Sequence, residues 1–461
     1  MRIILDVFSL LYLVKRLALS GLLCFCAKLY QIKALYIISY IFAPLRSFQY
    51  NFCIVKNVHL HSIIEKLGPI FIKFAQSIST RPDLIGQPLA SSLAILQDRL
   101  EPFPTSEAQN IIENQLNQKI EDIFVEFNQV PVAAASIAQV HKATLHNGQQ
   151  VAVKILRPSI KRIYKNDIKT LYSIARICNL IFGKAKKLKL LEAVAIFEKT
   201  MKFELDLLSE AAACSELRDN LSKDENVKIP EVFWDYSTSF MLTLEWIDGV
   251  SIYEAGTLEQ HGASNQKMIK NLTITFLNQA LRDGFFHADL HPGNILITKD
   301  GKIVLVDFGI VGRLSEKDRI GIAEILHSLI QKDYKRVAEI HVDLGYAPQN
   351  TNIMDFALAC RIAAEPIVGK HIDKISIGHL LENLFKITAD FGMQTQPQLI
   401  LLQKTIIMLE GITKTLDEKV NMWHLAENWV KKWATQNISF DAKICRMIKN
   451  VMQDLYKLHL K

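Results

Sequence analysis

The chain has no apolar run of the about 20 residues that a membrane-spanning helix requires. Leu17 to Ala27 and Ala34 to Leu45 are apolar but short, and Lys28 and Lys33 separate them. No small-residue cleavage site follows, so a signal peptide is not indicated. Two interfacial helices lying on a membrane are expected instead, with one tilted span as the alternative. Cysteine is scarce and odd in number: Cys24, Cys26, Cys53, Cys178, Cys214, Cys360 and Cys445. Cys24-Phe25-Cys26 is too close for an ordinary disulfide and lacks the second pair that a zinc site needs. Free thiols in a reducing compartment are expected. There is no internal repeat and no low-complexity segment. A flavin fingerprint and a two-His-one-carboxylate iron triad are also missing, which leaves flavin or non-haem iron hydroxylation without support.

Acidic residues are nearly absent from the first 60 positions. Arg2, Lys15, Arg16, Lys28, Lys33, Arg46 and Lys56 face Asp6 alone, which accounts for most of the formal charge of +7. A basic, apolar N-terminus favours an anionic membrane surface. Nucleic-acid binding would need a basic stripe on the folded body, and none stands out, so no nucleic-acid partner is expected. The 461 residues can hold two or three domains with sizeable cores, and 49% of them are hydrophobic.

Two short blocks carry the chemistry. His287-Ala288-Asp289-Leu290-His291-Pro292-Gly293-Asn294 is followed by Val306-Asp307-Phe308-Gly309. Residues 295–305 between them read as a β-hairpin closed by Asp300-Gly301. This is the layout of a kinase catalytic loop and its metal-binding turn. Asp289 would orient or deprotonate a nucleophile, and Asn294 and Asp307 would hold Mg²⁺. His287 and His291 could suggest zinc, but no third ligand is evident.

Upstream, Val132, Ala133, Ala134, Ala135, Ser136, Ile137, Ala138, Gln139 and Val140 run into a strand reaching Leu145. The turn His146-Asn147-Gly148 follows, then the strand Val151–Ile155 with Lys154 inside it. A lysine among apolar strand residues calls for a partner anion. Residues 57–100 look helical, and Gly68-Pro69 starts a helix with an Ile70, Phe74, Ile78 stripe and a polar stripe of Lys73, Gln76, Ser77 and Thr80. Ser106 with Gln109 reads as a capping box. Helices are expected over roughly 160–182 and 190–222, strands over Glu231–Tyr236 and Phe240–Glu245, a hinge at Trp246–Gly249, a helix ending near Phe285-Phe286, and mainly helix after about 315.

Together these blocks resemble the UbiB family of atypical kinase-like proteins over roughly residues 60–430. Leu67 to Gln76 with Ser79 to Leu84 resembles its Lys-x-Gly-Gln element. Val132 to Val140 resembles its alanine-rich loop, and Phe203 to Asp206 with Glu210-Ala211 its Glu-x-Asp element. His341-Val342-Asp343 and Gln396-Pro397-Gln398-Leu399 look like the bacterial members. The resemblance implies an α+β, two-lobed protein-kinase-like fold with a helical N-terminal extension and a helical C-terminal region. The expected divisions are membrane-associated helices at 1–56, a helical extension at 57–130, the N-lobe at 131–248, and the C-lobe with the helical region at 249–461.

It also implies ATP and Mg²⁺ as cofactors. Residues 132–140, Lys154 and Glu210 would bind the nucleotide, and Lys73 would face Glu204 beside Asp289 in the catalytic set. On one regular helix Glu204 and Glu210 would stand about 240° apart, so two different lysine partners are expected. The implied function is a Mg-ATP-dependent kinase or ATPase of ubiquinone biosynthesis at the cytoplasmic face of an inner membrane. Membrane lipid, polyprenyl-phenol or quinone intermediates and other enzymes of that biosynthesis are the implied partners. A nucleotide-binding scaffold without turnover and a genuine protein kinase are the alternatives. No Ala-Pro-Glu segment follows Gly309-Ile310-Val311-Gly312, which disfavours the last. Two positions depart from the family. In the family the helix that carries the Lys73 position lies over the site where a kinase would bind a peptide; Ala75 stands there where the family has glycine, which would tighten or reposition that helix. Residues 422–461 carry seven lysines and arginines and no apolar run long enough to span, which puts attachment on the N-terminus or a partner.

Overall fold

The computed structural model describes residues 101–181, 189–254, 264–368 and 396–437 almost without a break, with 33–43, 67–79 and isolated positions elsewhere. Most of the expected N-terminal membrane segment, Thr80 to Leu84 and residues 438–461 lie outside the described residues. The chain forms two compact units: Met1–Glu210 with Val232–Trp246, and Ala211–Glu231 with Ile247–Lys461.

The first unit is built on an antiparallel sheet. Its strand order is Phe124–Phe127, Ala138–Leu145, Gln150–Leu156 and Met241–Glu245, with the two-residue strand Ala133–Ala134 added to the second. Alternation in Gln150–Leu156 puts Val151, Val153 and Ile155 into the core beside Ala143, Leu145, Met241 and Phe124. Lys154 falls on the opposite face. Ala108 and Ile112 of the helix Thr105–Leu116 cover the buried face.

The expected capping box at Ser106 and Gln109 does not form. Pro104 stands at the cap with no side-chain bond, and the Thr105 hydroxyl donates to the Gln129 carbonyl at 2.6 Å instead. The expected strand Glu231–Tyr236 is also absent: Val232 makes a single bridge to Leu244, and Trp234–Tyr236 is a 3-10 turn. Thr243 imposes that turn, its hydroxyl donating to the Tyr236 carbonyl at 2.6 Å and its own carbonyl accepting from Phe233 N–H. The helix Pro69–Ser79 opens at Gly68, whose φ of 104° suits glycine, and it buries Ile70, Phe71, Ile72, Ala75 and Ile78. Phe74 meets Phe197 of the helix Leu190–Glu204 edge to face, 5.2 Å between centroids.

The second unit holds a four-stranded sheet ordered Val227–Lys228, Ile303–Leu305, Ile295–Thr298 and Gly249–Ser251. Gly301, at φ 77°, closes the Ile295–Thr298 to Ile303–Leu305 hairpin. Helices Asn265–Leu277, Glu316–Ile330, Tyr334–Asp343, Ile353–Val368, Pro397–Leu416 and Glu427–Asn437 belong to the same unit. A core of Leu329, Val337, Phe356, Cys360 and Leu380 joins the middle helices of this set. The helix before the His287–Asn294 block ends earlier than expected. Asn265–Leu277 widens into a π-turn over Asn278–Asp283, and Phe285–His287 is a strand paired with Val311–Arg313. Arg282 fixes the turn by bonding both Asp224 oxygens, at 2.8 and 3.0 Å, and both Asp283 oxygens. Gly312 has no room for a side chain, because a Cβ there would meet the buried Phe286 ring at 2.2 Å.

Candidate functional site

In the first unit, Lys154 donates to both oxygens of Glu210, at 2.7 and 2.8 Å. The pair is 17% and 6% exposed, so little water screens it. The sheet face opposite the core therefore receives the anion that the strand lysine requires. Lys73 lies 3.4 Å from Glu204. The two glutamates do not share one helix. The expected 190–222 helix breaks at Leu205-Asp206 into Leu190–Glu204 and Leu207–Asn220. Asp206 opens the second by accepting from Leu208 N–H at 3.3 Å.

The alanine-rich run is a tight connection rather than a continuous strand. Ala133–Ala134 pairs back on Val140 and Gln139, and Ala135 N–H donates to the Ala138 carbonyl at 2.8 Å. Ser136 and Ile137 at its tip are buried. Arg157 braces it, donating to the Ala135 carbonyl at 3.0 Å, while its own N–H donates to Ile137. Gln139 is turned inward. Its Oε1 accepts from Phe103 N–H at 3.0 Å and its Nε2 lies 2.8 Å from the His141 ring. Burial pushes the His141 pKa down, which keeps that ring neutral.

In the second unit the His287–Asn294 block is locked to the turn that follows the hairpin. His287 is fully buried; its Nδ1 accepts from Asp289 N–H at 3.2 Å, so Nε2 carries the proton and donates to the Val306 carbonyl at 3.1 Å. Burial holds its pKa below the usual value. Phe308 packs on its edge with centroids 5.6 Å apart. His291 caps the short 3-10 turn at Asn294 by accepting from Gly293 N–H. Both histidines are thus occupied structurally, and no group of three or more metal-ligating His, Cys, Asp or Glu residues occurs among the described residues. Asn294 donates its amide to the Asp289 carbonyl at 3.0 Å and to Asp289 Oδ2 at 3.4 Å. Its amide oxygen is left to accept or ligate. Asp307 has φ 61°, the left-handed region that few non-glycine residues adopt.

This donor set fits a nucleotide-bound Mg²⁺. Asp307 and Asn294 would supply hard oxygen ligands, and such sites need only one or two protein groups besides phosphate oxygens. A self-sufficient protein metal cage would need more. One residue absent from the sequence reading belongs here: Lys404 of the helix Pro397–Leu416 places Nζ 3.2 Å from Asp289 Oδ1. Its signal was a lone charge in Leu399-Ile400-Leu401-Leu402-Gln403-Lys404-Thr405-Ile406-Ile407, the same anomaly that marks Lys154.

Residues 95–341 match the ABC1 atypical kinase-like domain, and residues 360–421 match the UbiB helical domain. The chain belongs to the UbiB family. A "Probable protein kinase UbiB" from Erwinia tasmaniensis is 41% identical over 398 residues, 85% of this chain and 73% of that protein. A protein of the same name from Marinobacter nauticus is 39% identical, over 82% of this chain and 70% of its own length. A solved structure, the complex of Rv3197 with erythromycin from Mycobacterium tuberculosis, matches 84% of this chain and 97% of its own with a TM-score of 0.51 at 23% identity. That likeness supports the kinase-like α+β fold with its helical C-terminal region. The chain is thus a UbiB-family kinase-like protein.

Proposed function

We propose that this UbiB-family protein uses Mg-ATP to phosphorylate or to drive a step of ubiquinone biosynthesis at a membrane. The reading rests on the Lys154–Glu210 pair, in which both carboxylate oxygens hold one ammonium at 2.7 and 2.8 Å. A strand lysine held this way is pre-oriented to contact the α/β-phosphates. Asn294 and Asp307 would hold Mg²⁺, which neutralises phosphate charge when bound. Asp289 would orient the attacking hydroxyl or water and accept its proton. The 132–140 connection, braced by Arg157, would lie against the nucleotide through its backbone, since Gln139 has its side chain committed inward. Lys73, from the helix Pro69–Ser79, and Glu204, from the helix Leu190–Glu204, would complete the catalytic set.

Membrane association is part of the proposal. Ile37, Tyr40 and Ile41 of the helix Lys33–Phe42 are 61%, 50% and 68% exposed, an apolar edge suited to an interface. Among the described residues, no helix is long and apolar enough to cross a membrane. The acceptor would be a polyprenyl-phenol intermediate or an enzyme that handles one, on the cytoplasmic face of the inner membrane. The test is ATP hydrolysis by the purified protein, with and without anionic liposomes and a phenolic quinone precursor. Turnover that rises with both additions supports the reading; no Mg-dependent hydrolysis under any of these conditions overturns it.

A further inference from the structure

We infer that Lys404 is the positioning residue for Asp289, so that the helical domain sets the geometry of the catalytic loop. The inference rests on the reading of Asp289 as the group that takes the nucleophile's proton. Asp289 is on a loop and its side chain is 30% exposed, so its carboxylate needs external contacts to hold one rotamer. Among the described residues, two side chains touch it. Asn294 reaches Oδ2 at 3.4 Å, a marginal hydrogen bond, and spends its better one on the backbone carbonyl of Asp289. Lys404 reaches Oδ1 at 3.2 Å, the closer contact and a charge-assisted one. Each carboxylate oxygen therefore has one donor, and the plane of the group is fixed only when both are present.

The lysine is well supported for that task. Leu399, Leu402, Ile406 and Leu409 bury the face of its helix, and Thr405 beside it is buried with its hydroxyl donating to the Leu401 carbonyl at 2.7 Å. The far end is pinned where Asn265 donates to the Leu416 carbonyl at 2.9 Å. Lys404 lies in the part of the chain matched by the UbiB helical domain, and Asp289 in the part matched by the kinase-like domain. The ion pair gives the helical domain a direct hold on the transfer chemistry. In the step, the nucleophile's oxygen bonds to the γ-phosphorus as the bond from that phosphorus to the β-bridging oxygen breaks. ADP departs with that electron pair, and the nucleophile's proton passes to Asp289. Lys404 acts by keeping the Asp289 carboxylate aimed at the nucleophile.

The test is a double-mutant cycle on ATP turnover by the full chain, using Lys404→Met, Asp289→Asn and the double variant, with Lys404→Arg as the conservative control. Lys404→Met should lower kcat by about 10²-fold with KM for Mg-ATP changed by less than about threefold. Lys404→Arg should restore most of the loss. In the Asp289→Asn background, Lys404→Met should cost almost nothing further, because there is no carboxylate left to position. A purely structural lysine predicts the same loss in both backgrounds and no selective effect on kcat; that result would overturn the inference. Parent-like turnover in Lys404→Met with an inactive Asp289→Asn overturns the inference alone. Parent-like turnover in Asp289→Asn overturns the Asp289 reading and the inference with it. If Lys404→Met is insoluble, Lys404→Gln takes its place in the same cycle.

Discussion

Glu204 and Glu210 are six residues apart and hold two different lysines, Lys73 at 3.4 Å and Lys154 at 2.7 Å, from the ends of two separate helices. The break at Leu205-Asp206 frees each carboxylate to take its own direction. The two pairs should therefore separate functionally. Lys154→Met should weaken nucleotide affinity by about tenfold or more, the value of a charge-assisted bond. Lys73→Met should leave affinity within about threefold and reduce turnover. Calorimetric titration of nucleotide into each variant checks this, and equal affinity losses in both would show that the pairs act as one unit.

Asp307 carries the metal assignment. Its left-handed backbone, at φ 61°, is an unfavourable state for a non-glycine residue, of the kind often retained where function needs it. Asp307→Asn keeps the size and removes the charge. Mg-dependent nucleotide binding should be lost, whereas any metal-free binding should remain. Calorimetry with and without Mg²⁺ gives the answer; unchanged Mg-ATP affinity in the variant would remove Asp307 from the site.

His341 should make this protein acid-sensitive. Burial pushes its pKa down to about 4, and its ring lies edge-on to Phe356 with Nδ1 donating to the Val337 carbonyl at 2.7 Å. In the unfolded chain the same group titrates near about 6.5. Between those values the unfolded state binds a proton that the folded state does not, so stability falls as pH drops from about 6.5 and levels off below about 4. The full contribution is about 3 kcal/mol. Denaturant melts of the parent and of His341→Leu at pH 7.5 and 4.5 should show a smaller pH-dependent loss in the variant. Parallel losses would exclude His341 as the cause.

Much of the site could be read from local chemistry. Asp300-Gly301 announces its hairpin, Pro69 opens its helix, and strand alternation puts Lys154 off the core face while Val151, Val153 and Ile155 enter it. What escaped was decided by specific hydrogen bonds and ion pairs, some local and some between residues distant in the chain. The break at Leu205-Asp206 carries no proline or glycine and is set by Asp206 accepting from Leu208. The capping box at Ser106 lost to Pro104 at the cap and to Thr105 bonding Gln129. Trp234–Tyr236 turns because Thr243 claims its backbone. Lys404 comes to Asp289 from 115 positions away, where only the lone charge in an apolar helix hinted at a role.

Turnover at Asp289 stands or falls with one substitution. Asp289→Asn keeps the shape of the side chain and its place beside Asn294 but removes the carboxylate that would take the nucleophile's proton. ATP hydrolysis should fall by about 10²-fold or more while nucleotide affinity changes little. In a cell deficient in the parent, the variant should fail to restore ubiquinone production. Full hydrolysis by the purified variant, with ubiquinone restored as well as by the parent, would contradict the account and leave nucleotide binding as the surviving activity.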